Sequence, residues 1–203
     1  MSAASSFNRF VRELERVLAD HGYERSGGLA FRKYSPVGDA LVLDVQKSGA
    51  SDRTARVFYL NTALVLGPEY AMYRRRTGRP ESELPRSEHG LWRDRVRADH
   101  NDKFTITDDA SADAVWQAVR PALQEQLAQM DELLDRDRLR EGAESSDRRW
   151  LWATNPFVRA WLLAAEGDAE GLDKLLATQF SAGRRASDGV RDMLAYVVEP
   201  THQ

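Results

Sequence analysis

Phe7, Phe10, Val11, Leu14, Val17 and Leu18 recur at intervals of three and four, so they form one apolar stripe on a helix. Ser5 or Ser6 is placed to cap its start by accepting a free backbone N–H. His21-Gly22 ends it, because glycine takes the left-handed conformation that closes a helix. Three strand-like runs follow, at residues 29–34, 40–48 and 56–66. The turns between them are short, which predicts antiparallel hairpins. Period two puts Leu41, Leu43 and Val45 on one face of the second run and Val42, Asp44 and Gln46 on the other. In the third run it separates Phe58, Leu60, Thr62 and Leu64 from Val57, Tyr59, Asn61 and Ala63. One face is more apolar in both, as in a sheet covered on one side.

Residues 67–90 read as a long irregular segment with a short helical turn near Glu69–Arg75. Residues 91–97 alternate as a strand, and residues 103–107 read as another. Between residues 109 and 136 the apolar positions keep helical spacing, with Pro121 in the middle, so the helix either kinks there or restarts. Residues 141–149 are Gly, Ser and charge and read as a linker. Three short helices then follow, starting at Asn155-Pro156, Asp168 and Ser187. Trp150 and Trp152 flank the linker and read as cement for this helical tail. The predicted fold is α+β: an antiparallel sheet of four to five strands with helices on one face over residues 1–145, then a C-terminal helical subdomain over residues 146–203.

Two halves of opposite sign share the charge. Residues 1–100 carry a net +4 and residues 101–203 a net −7, for −3 overall. That balance argues against nucleic acid as the main partner. Cysteine is absent, which excludes disulfides, thiolate metal sites and Cys nucleophiles. No apolar run approaches the ~18 residues of a membrane span. The N-terminus lacks the basic and apolar pattern of a signal peptide, so a cytoplasmic location is expected.

Gly22-Tyr23 after the first helix, an aromatic strand from Leu29 to Arg32, Val45-Gln46-Lys47-Ser48, the strand from Phe58 to Asn61, an arginine-bearing strand and a Trp-bearing helix recur together here. In these features the chain resembles the bacterial family known as domain of unknown function 4304, over about residues 6–140. The resemblance supports the fold and implies no chemistry. Beyond residue 145 it fails, and the helical tail reads as an addition.

Candidate chemistry is sparse. No nucleophile elbow and no phosphate-cradling glycine loop is present. His89, His100, Asp102, Asp108 and Asp109 are the only grouping that suggests a metal, and Asp108-Asp109 also sits where a helix start favours acids. No metal, cofactor or catalytic residue is expected. Asp44, Gln46 and Asn61 are polar residues in strand interiors and share a face with Tyr59 if the hairpin pairs. That face either binds a peptide or small polar ligand, or is simply the solvent side of the sheet. Arg74, Arg75 and Arg76 lie in the long segment, and Arg93 and Arg95 on the next strand. They suit phosphate, with Tyr70, Tyr73 and Trp92 for stacking, or else form a solvated surface paired with Glu81, Glu83, Glu88 and Asp94. The expected function is a non-enzymatic protein- or peptide-binding module, by analogy of an immunity type that masks a toxin. The alternative is a binder of, or enzyme on, phosphate-bearing or nucleic-acid substrates using the arginines.

Overall fold

Helix α1 (Ala3–Asp20) buries the stripe that the sequence marks, from Phe7 to Leu18. The computed structural model describes residues 2–145, 155–185 and 187–198. The cap of α1 lies earlier than Ser5 or Ser6: the Ser2 hydroxyl accepts the Ser5 N–H at 3.3 Å. Ser6 is buried instead and donates to Asp109 Oδ1 at 2.6 Å. Gly22 closes the helix at φ +79°, a conformation that costs glycine little.

The chain then enters an antiparallel sheet. A two-residue strand β1 (Glu24–Arg25) pairs with β2 (Ala30–Tyr34), which pairs with β3 (Ala40–Lys47), which pairs with β4 (Arg56–Val65). β1 is too short to show a period, and the sequence pattern missed it. Helix α2 (Gly67–Thr77) begins directly after β4. The first half of the segment is thus not irregular, and the short helical turn expected near Glu69–Arg75 is a helix of 11 residues. Pro68 in the first turn and Gly78 at φ +65° bound it. A 3₁₀ turn (Ser87–His89) leads into β5 (Trp92–Arg95), and β6 (Phe104–Ile106) follows. β5 and β6 lie in tandem on the same edge of β4, at Asn61–Leu64 and Arg56–Phe58. Among the described residues the sheet has six strands, all antiparallel.

Helix α3 (Asp109–Leu133) runs through Pro121 without a break. Asp108 caps it, accepting the Ser111 N–H at 2.8 Å. Helix α4 (Arg136–Glu144) occupies residues 141–144, where the sequence suggested a linker. The linker reading rested on Gly142 and the run of charge. Gly142 and Ala143 are buried, and the charged side chains point outward. The remainder of that stretch, with Trp150 and Trp152, lies outside the described residues. Helices α5 (Asn155–Glu166), α6 (Ala169–Gln179), α7 (Ala182–Arg185) and α8 (Asp188–Val198) follow among the described residues.

The fold is α+β, with α1 and α3 on the apolar sheet face. Phe7 and Phe10 meet Phe58 of β4 at ring distances of 5.2 and 5.1 Å, and Phe10 meets Trp116 of α3 at 5.8 Å. The buried cluster continues through Leu133 and Leu139 to Trp161, Leu172 and Met193 of the later helices. Asp39, only 1% exposed, ties three elements together. It takes both arms of Arg136 of α4 at 2.8 and 2.9 Å and the Gly67 N–H at 2.9 Å. Gly67 itself admits no side chain, since a Cβ would stand 2.8 Å from the Gly38 carbonyl oxygen. On the opposite sheet face α2 covers one end, where Tyr70 packs with Ala40, Val42 and Val65. The other end of that face stays polar.

Candidate functional site

Register places the site. Asp44 of β3 stands opposite Asn61 of β4, and Asn61 opposite Arg95 of β5, so the three form one row across the polar face. Gln46 and Tyr59 form the next row. The rows are bonded to each other. Asn61 donates to Gln46 Oε1 at 2.7 Å, and Arg95 Nε donates to Asn61 Oδ1 at 3.0 Å. Arg95 lies over the Tyr59 ring at 4.4 Å and donates to Asp102 at 2.8 Å. The Arg95 hydrogen bond holds the Asp102 carboxyl below the usual carboxylate range. Amide, phenol and guanidinium thus hold one another in fixed orientation.

Asp44 is positioned from the other side. Its Oδ2 accepts the Ser87 N–H of the 3₁₀ turn at 2.8 Å. Its Oδ1 is out of reach of solvent and has no hydrogen-bond partner. Arg32 of β2 shares this face and is 4% exposed. Its guanidinium donates to the Ser26 carbonyl and hydroxyl and to the Pro85 carbonyl. One buried cation therefore holds both walls: the Ser26–Gly28 turn before β2, and the segment that crosses the sheet at Pro85.

Between these walls lies an open cleft of about 1000 Å³. Asp44, Gln46, Asn61, Arg93 and Arg95 all line it, so the structure joins the two candidate groups that the sequence kept apart. Tyr59 supports Arg95 from below. Arg74, Arg75 and Arg76 are elsewhere, on the last turn of α2, where cations oppose the helix dipole. Arg74 lies over Tyr70 and donates to the Glu81 carbonyl, and Arg76 pairs with Asp188 and Asp192 of α8. The expected stripe of arginines is thus two separate groups. Trp92 is buried in the core, and Tyr70 stacks on Tyr73 at 6.0 Å, so neither offers a free face.

The suspected metal grouping is dispersed. His89 Nδ1 accepts the Arg86 N–H among the rings of Tyr70 and Tyr73, and burial pushes its pKa down. Asp102 serves Arg95, Asp108 caps α3, and Asp109 accepts from Ser6. Among the described residues no three His, Asp or Glu side chains are grouped to hold a metal ion. Nor is any described helix long and apolar enough to cross a membrane.

Sequence reasoning missed Arg32, Arg86 and Ser87. Arg32 alternates with Ala30 and Tyr34, so its face follows once β2 is registered on β3. The roles of Arg86 and Ser87 depend on a loop path that no period encodes.

Fold and cleft together define an α+β protein with a bonded polar cleft on the half-open face of an antiparallel sheet. The family model described as a domain of unknown function (DUF4304) matches residues 14–141, and the chain belongs to that family. The match contains all six strands and every cleft residue named above. Neither the curated proteins nor the solved structures contain a match to the chain.

Proposed function

We propose that the chain is a non-enzymatic binding module that takes a protein segment or peptide in the cleft over Asp44, Gln46 and Asn61. The observation that carries this reading is the bonded chain from Gln46 through Asn61 to Arg95, with an unpartnered Asp44 oxygen on the strand beside Asn61. Groups already held in place lose little freedom when a ligand arrives. Amides and a carboxylate in strand register also match the donors and acceptors of an extended backbone.

Charge balance supports a polypeptide over a polyphosphate. The cleft is lined by five arginines and five acidic residues, whereas phosphate recognition favours uncompensated cations. The alternative of a phosphate-bearing ligand retains Arg86 and Arg93 but not the α2 arginines.

Selection of a displayed random-peptide library tests the reading. Wild type is expected to enrich binders that the Asp44→Asn/Gln46→Ala/Asn61→Ala variant releases, with both proteins giving the same circular dichroism. Asn at position 44 keeps an acceptor for the Ser87 N–H, which protects the loop. Failure to enrich any peptide, or equal retention by the variant, overturns the reading.

A further inference from the structure

We infer that the cleft selects a bipolar peptide, with a basic side chain directed to Asp44 and a carboxylate directed to Arg86 and Arg93. The inference rests on the peptide-binding reading above and names the chemistry of the peptide. It follows from asking which charges in the cleft are already used. Arg95 is held by Asn61 and Asp102. Arg97 is paired with Asp94 at 2.8 Å. Arg32 is spent on the Ser26 and Pro85 carbonyls. Glu83 faces Arg79 at 3.5 Å, with its Oε2 buried and unpartnered, whereas Glu88 is exposed and its neighbour at 3.9 Å, His89, is pushed toward the neutral form by burial.

What remains among the described residues is Asp44 and the exposed Glu88 on the acidic side, and Arg86 and Arg93 on the basic side. Asp44 Oδ1 is buried and unpartnered, its Oδ2 is bonded to Ser87, and the carboxylate forms no ion pair among the described residues. A buried polar atom without a partner is uncommon in a folded protein, and Asp44 lines the cleft with a carboxylate that no described cation opposes. Arg86 and Arg93 are exposed at the cleft and form no ion pair among the described residues. Their guanidinium groups are free for bidentate contact with a carboxylate.

The spacing suits a peptide. Arg93 stands opposite Ala63, and Ala63 opposite Val42, so Arg93 lies two strands across and two residues along from Asp44. At about 4.8 Å per strand and about 3.4 Å per residue, their Cα atoms are about 12 Å apart. A basic and an acidic side chain one to three residues apart in an extended peptide bridge that gap, since each adds its own reach. A ligand carrying only negative charge leaves Asp44 unsatisfied and places an anion in the same cleft as its carboxylate. A ligand carrying only positive charge meets Arg86 and Arg93.

The test is an array of acetylated, amidated ten-residue peptides on one Ala/Ser/Tyr background. One set carries an Arg and a Glu at spacings of one to three. Matched sets carry the Arg alone, the Glu alone, or neither. The 203-residue wild-type chain is expected to bind the two-charge set at least tenfold more tightly than any matched set. Asp44→Asn should abolish the advantage conferred by Arg and keep that conferred by Glu. Arg86→Gln/Arg93→Gln should do the reverse. Each substitution is close in size to the residue replaced, and melting curves confirm folding. Equal binding of two-charge and neutral peptides overturns the bipolar inference and leaves the peptide reading standing. Preference for Glu-only peptides that Asp44→Asn does not alter overturns it in favour of an anion site. No binding to any set, together with a failed library selection, overturns both.

Discussion

Two carboxylates show how the environment of a residue decides its chemistry. Glu69 sits in the first turn of α2 with a buried, unpartnered Oε2. Burial, and next the nearby Asp192, push its pKa up to about 8 from 4.5. The native state therefore holds a proton that the unfolded chain has released between those values. Stability contributed by the neutral form is full below about pH 4.5 and is lost as pH rises toward 8. Glu69→Gln should leave the melting temperature unchanged at pH 4 and raise it by about 5 °C at pH 8.5, measured by thermal denaturation across pH. Asp39 is the opposite case, a buried carboxylate fully paired with Arg136 and the Gly67 N–H. Asp39→Ala strands the guanidinium and should cost about 3 kcal/mol in urea unfolding. The polar face was legible at this scale, because period two alone groups Asp44 with Gln46 and Tyr59 with Asn61. Arg32 was not, since one cation in an aromatic strand carries no sign of the carbonyls it holds together.

At the scale of elements, legibility followed the strength of the local signal. α1, β2, β3 and β4 have clean periods and emerged where expected. α2 emerged only as a short turn near Glu69–Arg75, because Arg74, Arg75 and Arg76 mask any apolar stripe and its full length shows only in the Pro68 and Gly78 boundaries. α4 was obscured by Gly142, which the structure buries. The turn after β5 shows an element working against its own residues. Ala98 and Asn101 form a two-bond bridge, and the residues between, Asp99 and His100, adopt φ +49° and +64°. Tight hairpins require this conformation and glycine supplies it most easily. His100→Gly should therefore stabilise the protein by about 0.5–1 kcal/mol in urea unfolding, offset in part by the freer unfolded chain. The turn places Asp102 against Arg95, so the strain supports one end of the cleft.

Across the whole molecule, the opposite charge of the two sequence halves finds an internal use. Arg9 of α1 meets Asp113 of α3, Lys33 of β2 meets Asp131, and Arg76 of α2 meets Asp188 and Asp192 of α8. The basic first half and acidic second half are partners within one chain, which is why charge asymmetry gave no guide to an external ligand. The far edge of β4 carries a different consequence, one of order in time. Its partners on that side are β5 and β6, which end at Arg95 and Ile106. While the chain is being made, β4 exposes an open edge beside Phe58, Leu60 and Leu64 until residue 106 has emerged. Open apolar edges recruit other chains. The residues that emerge during that interval include eight arginines and four acidic residues between positions 74 and 97, and the net positive charge of that stretch opposes a second nascent chain while the edge is bare.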